Sequence, residues 1–104
     1  MAAVTLTPEG RIAVTGDLLF GDAVAACAAG RALVATIGAQ VPPVRQVEVT
    51  LAGLARVNSV SAVVLVEWQR AAVAAGKSLL IVDVPPRLAG ILRLSGLDEV
   101  LPLG

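Results

Sequence analysis

The chain has 104 residues, the size of a single domain, and 57% of them are hydrophobic against 15% charged. Eight basic residues balance eight acidic ones and stand singly from Arg11 to Arg93, with only Trp68 and Phe20 as aromatics. No basic stripe with stacking partners results, which argues against nucleic-acid binding.

The composition is more apolar than that of a typical soluble domain, so a partner is expected to cover part of the surface. Cys27 is the only cysteine; no internal disulfide can form, and a reducing, cytoplasmic setting fits. In its Ala-rich surroundings Cys27 reads as a small buried thiol rather than a nucleophile. No basic segment leads into an apolar one at the N-terminus, so no signal peptide is expected. The most membrane-like stretch, Ala23 to Val41, contains Arg31 and Gln40 and is built largely on weakly hydrophobic alanine. It reads as a packed helix, not a membrane span.

Val4 to Thr7 alternates like a short strand, and Pro8-Glu9-Gly10 is a turn. Arg11 to Gly16 reads as a second strand folding back on the first. Asp22 is expected to cap a helix from Ala23 to Thr36, with Ala23, Ala26, Cys27, Leu33 and Val34 available for burial. Gly30 slightly weakens that helix; Gly38 and Pro42-Pro43 end it. Strand three covers Val44 to Leu51, and Ala52 to Val57 reads as a connector. Asn58-Ser59 then caps a second helix, Ser59 to Ala75, which stops at Gly76. Ser78 to Asp83 is a continuous apolar run of the kind found in central parallel strands. Pro85-Pro86 opens a short helix, Arg87 to Leu94, closed by Ser95-Gly96. Glu99-Val100-Leu101 is expected as a last short strand. The order β-β-α-β-α-β-α-β implies an α/β domain over residues 1–104 with a mostly parallel sheet.

Gly76-Lys77-Ser78 resembles the tail of a phosphate-binding loop, but Ala71 stands where a glycine is needed. The order is also helix to strand instead of strand to helix. It reads as a helix cap and a surface lysine. With no His and one Cys, neither a His-based triad nor an ordinary zinc site can be built. Asp17, Asp22 and Asp83 fall at element ends, and Asp98 and Glu99 adjoin the last strand. Nothing in the sequence calls for an enzyme or a cofactor.

The second helix carries the functional signal. At 100° per residue Ser59, Val63, Glu67 and Arg70 share one stripe, with Val60 and Val64 beside it. Ala62, Leu65, Trp68, Gln69 and Ala72 lie on other faces and are expected to supply the core. The stripe is exposed by its charges yet carries valines, so it reads either as a solvated edge with incidental apolar residues or as a partner-docking face.

Arg11 to Leu18, followed by Val47-Glu48-Val49-Thr50-Leu51 leading through Arg56-Val57-Asn58-Ser59 into the second helix, resembles a STAS domain over nearly the whole chain. STAS domains include anti-sigma factor antagonists and the C-terminal domains of sulfate transporters. The resemblance implies a mixed sheet with helices mainly on one face. The family junction usually reads Asp-Ser/Thr-Ser/Gly-Gly; here it reads Asn58-Ser59-Val60-Ser61. The phosphorylated serine of the antagonists corresponds to Val60, which cannot accept phosphate, although Ser59 and Ser61 flank it. The chain is more similar to the small STAS subunit of bacterial Mla-type phospholipid-transport ABC complexes, whose junction threonine corresponds to Ser59. Like that subunit, it closes soon after Val100-Leu101-Pro102. This resemblance implies a cytoplasmic, non-enzymatic adaptor on the transporter's ATPase subunit, reaching the inner membrane only through that partner. The implied partner-binding residues are Asn58, Ser59, Val60, Ser61, Val63, Val64 and Glu67. The alternative is a phosphorylation-controlled antagonist of an anti-sigma factor kinase, modified at Ser59 or Ser61.

Overall fold

A computed structural model describes residues 2–40 and 44–104. The elements are β1 (Ala2–Leu6), β2 (Ile12–Leu18), α1 (Ala23–Gly38), β3 (Gln46–Val57), α2 (Ser59–Ala74), β4 (Ser78–Val82) and α3 (Pro86–Leu94). The sheet runs β1-β2-β3-β4; β1 is antiparallel to β2, and the β2–β3 and β3–β4 pairs are parallel.

Register decides which face is covered. Ile12 lies opposite Val49, and Val49 opposite Ile81. Strand residues alternate sides, so Ile12, Val14, Val47, Val49, Leu51, Leu79 and Ile81 point the same way, and all are buried. α1 packs against β1, β2 and α2, while α2 packs against β3, β4 and α3. Leu88 and Leu92 of α3 complete that side. The opposite face is more polar: Thr15 is exposed, Glu48 and Thr50 are half-buried, and Arg11 pairs with Glu48 at 2.7 Å. The helices therefore lie mainly on one face of a mixed sheet. Each fully buried Val, Leu or Ile on that face contributes about 1.5–3 kcal/mol.

Trp68 is a core residue. It is 0% exposed, and its indole N–H donates to the Ala26 carbonyl at 3.2 Å. Segment Phe20–Gly38 is long and apolar enough by composition to cross a membrane, with a mean hydropathy of 1.4. Here α1 packs against the sheet and α2, with Ala26, Gly30, Val34 and Ile37 buried.

Four sequence-based expectations are corrected. Ala52 to Val57 is the second half of β3, not a connector. Its register against β2 shifts between Ala13 and Thr15 and again between Gly16 and Leu18, and bulges of this kind break simple alternation. β4 is not central but last in the sheet, and it stops at Val82 because Asp83 turns left-handed at φ 58°. Residues Leu97–Glu99 form a 3-10 turn, and the last pairing with the sheet is a single parallel bridge from Leu103 to Ile81. Asp22 does not cap α1 with its side chain; Phe20–Asp22 is a 3-10 turn, and the Asp22 carboxylate accepts the Leu19 N–H at 3.1 Å. The expected stop at Pro42-Pro43 lies outside the described residues.

Candidate functional site

The junction of β3 and α2 is built by a reciprocal cap. Asn58 is extended, at φ −148° and ψ −169°, and its side-chain oxygen accepts the Val60 N–H at 3.0 Å. Ser61 Oγ accepts the Asn58 N–H at 3.2 Å and donates to the Leu18 carbonyl at 2.6 Å. This is a capping box with Ser61 in the returning position, satisfying N–H groups that helix geometry would leave orphaned. It also ties the start of α2 to the end of β2.

Only some of the candidate residues reach solvent. Ser59 is exposed, Val60 half-buried, and Val63 is 56% exposed. Glu67 is half-buried, 3.5 Å from Arg70. Ser61 and Val64, placed with them from sequence, are both 0% exposed. They belong to the stripe Ser61, Val64, Leu65, Trp68 and Ala72, whose spacing of three and four residues turns inward. Neither offers a surface to a partner, and the Ser61 hydroxyl is not open to a kinase. Asn58 is half-buried and shapes the site as its cap.

The sheet brings further groups to this end. Leu18 lies opposite Val57, so the segment leaving β2 emerges beside the start of α2. Phe20 is 80% exposed there, and Val24 at the start of α1 is also exposed. An open cleft of about 430 Å³ is lined by Leu19, Ala55, Arg56, Val57, Asn58 and Arg87. Asp17 accepts the Arg56 backbone N–H at 3.1 Å, and its other carboxylate oxygen is 4.0 Å from the Arg56 guanidinium. Arg56 and Arg87 thus give the cleft a basic rim. Sequence reasoning missed the cleft because Ala55 and Arg56 read as connector; Phe20 beside Gly21-Asp22, past the end of the second strand, was the available signal.

Nothing at the site resembles a catalytic set. Asp17 serves the Arg56 backbone, and Asp83 accepts the Thr50 hydroxyl at 2.9 Å. Among the described residues no three His, Cys, Asp or Glu side chains gather as metal ligands. Cys27 is half-buried; burial pushes its thiol pKa up, Arg31 opposes this, and Glu67 adds to it. A thiol held neutral is a poor nucleophile.

A family model described as "Mlab, STAS domain" matches residues 2–102. No curated protein sequence matches the chain. Among solved structures, an anti-sigma factor antagonist from Mycobacterium paratuberculosis superposes with a TM-score of 0.68 at 21% identity, over 99% of this chain and 83% of that one. At that identity the likeness concerns the fold.

Proposed function

Because this chain belongs to the STAS domain family, we propose that it is a non-enzymatic cytoplasmic adaptor that binds the ATPase subunit of a phospholipid-transport ABC complex. The observation carrying this reading is the capped start of α2, where Ser59, Val60 and Val63 present an apolar and polar strip to solvent. Val60 is already half-buried and Val63 is 56% exposed, so covering what remains of the two contributes roughly 1.5–3 kcal/mol together before the costs of association. The Arg56 and Arg87 rim beside them sets register against carboxylates of the partner. The match to a model described by the Mlab name supports the transporter reading. In this reading the protein sits at the inner membrane through its partner and contributes no membrane span of its own.

A second reading has its own support. The Ser59 hydroxyl is exposed beside a helix N-terminus, where a phosphate would be electrostatically favoured. The domain would then be an anti-sigma factor antagonist switched by its kinase. Gene neighbours separate the readings: ATPase, permease and lipid-binding genes for one, kinase and sigma-factor genes for the other. The direct test is binding of the purified chain to the ATPase subunit from the same genome. Saturable binding, with no phosphate incorporated at Ser59 by a co-encoded kinase, supports the adaptor; no binding overturns it.

A further inference from the structure

The two edges of the sheet are treated differently. Along β4, the Ile81 N–H donates to the Pro102 carbonyl at 2.9 Å and the Ile81 carbonyl accepts the Gly104 N–H at 2.8 Å, so the C-terminal segment bridges that edge at its middle. β1 is terminal in the sheet, and among the described residues no strand pairs with its outer side. The Thr7 N–H donates to the Arg11 carbonyl at 2.8 Å and the Arg11 N–H donates to the Thr7 hydroxyl at 3.1 Å, so the Thr7 N–H points toward the second strand. Antiparallel pairs alternate between bonded and non-bonded. With the register Leu6–Ile12, Thr5–Ala13, Val4–Val14 and Ala3–Thr15, the N–H and C=O groups of Ala2, Val4 and Leu6 therefore face outward.

Such an edge is a template for another strand, and proteins usually block it with charge, proline or a bulge. Ala2–Leu6 reads Ala-Ala-Val-Thr-Leu, without any charge or proline, and pairs with β2 in unbroken register. The helix above β1 is equally permissive. α1 touches α2 through Ala26 and Gly30, which meet Trp68. At 100° per residue Ala25, Ala29, Ala32 and Thr36 lie on the opposite flank, the β1 side. The only charged residue of α1 is Arg31, on the α2 side.

We propose that β1 pairs antiparallel with β1 of a second copy, joining two sheets into one of eight strands. A twofold axis at Val4 sets Val4 against its counterpart, Ala3 against Thr5 and Ala2 against Leu6 of the second copy. The strand around Val4 is uncharged on both sides, and the register sets the small Ala2 against the larger Leu6 twice, so the contact is self-complementary, as a twofold interface must be. A strand of Ala, Val, Thr and Leu offers no charge with which to select an unlike partner, whereas the small flank of α1 lets two identical helices approach. This contact lies on β1 and does not depend on the docking strip of α2.

Sedimentation equilibrium of the purified full chain, from micromolar to millimolar concentration, tests it. The wild type should rise from the mass of one chain to that of two. Thr5→Lys, at an exposed position, should stay at one with an unchanged thermal melt, and Leu6→Lys should behave likewise. Register is checked in a Cys27→Ala background by mixing Ala3→Cys with Thr5→Cys; oxidation should cross-link the mixture and neither variant alone. A wild type that remains monomeric, associates only on lipid vesicles, or dimerises equally well with Thr5→Lys overturns the proposal. So does cross-linking of either cysteine variant by itself to the same extent as the mixture.

Discussion

Gly30 of α1 lies directly beneath the indole of Trp68: a Cβ at position 30 would stand 2.1 Å from both Cε2 and Nε1 of the ring. The two helices meet this closely because one of them has no side chain there. Gly30 is thus a packing requirement of the core, although in the sequence it reads only as a weak point in a helix.

Gly30→Ala should therefore destabilise the domain. Helix propensity alone would favour alanine by about 1 kcal/mol. Overpacking against a fully buried ring costs about 1–3 kcal/mol, more where the neighbour cannot yield. Urea unfolding should show a net loss for Gly30→Ala, and a smaller loss when the same change is made beside Trp68→Leu. Additive effects of the two changes would contradict the contact, since touching residues couple.

The Asn58–Ser61 box makes a second prediction. Ser61→Ala removes the acceptor of the Asn58 N–H and the donor to the Leu18 carbonyl in a buried place. It should cost about 1–3 kcal/mol in chemical denaturation. Asn58→Asp keeps the acceptor for Val60 and adds charge at a helix N-terminus, so it should be neutral or mildly stabilising. Equal stability of Ser61→Ala and wild type would place Ser61 outside the cap.

Much of the fold was legible because the signals were local. Asn58-Ser59 marked the start of α2, Gly76 its end, with φ +73°, and Pro85-Pro86 the start of α3. The second half of β3 was not legible. Its buried residues Leu51, Leu54 and Val57 come every third position, where a regular strand would alternate. Gly53 lies in the stretch that reads as a connector, yet a Cβ there would stand 2.6 Å from Thr15 Cγ2, so the glycine leaves room for the Thr15 side chain on the neighbouring strand. At the site, the 100° rule placed Ser59 and Val63 outward but set Val64 beside them. Only the packing against the sheet fixes the rotation of α2, and it turns Val64 and Ser61 inward.

That rotation separates two neighbouring valines. Val63→Asp should leave the melting temperature nearly unchanged, as for other exposed substitutions. Val64→Asp buries a carboxylate without a partner and should unfold the domain or cost several kcal/mol. Circular dichroism melts of the two variants decide this. Similar losses for both would mean that α2 is rotated from the position described.

Cys27 gives a prediction in pH. Its folded pKa is raised, chiefly by burial, so folding favours the protonated thiol. That stability is present below the ordinary thiol pKa and is lost as pH climbs from there through the raised folded value. At neutral pH iodoacetamide should label native protein more slowly than protein in urea, and the native rate should rise steeply only in the alkaline range. Faster labelling of the native protein would show an activated thiolate instead.

The central claim is that the start of α2 docks an ABC-transporter ATPase, and native co-purification tests it most directly. The tagged chain and its Val63→Asp variant are recovered from the cell of origin, and bound proteins are identified by mass spectrometry. The predicted result is an ABC ATPase, with its permease, bound to the wild type and absent from Val63→Asp, while Ser59→Ala weakens recovery less. Recovery of an anti-sigma factor kinase in place of the ATPase, or of the ATPase equally with Val63→Asp, would contradict the account.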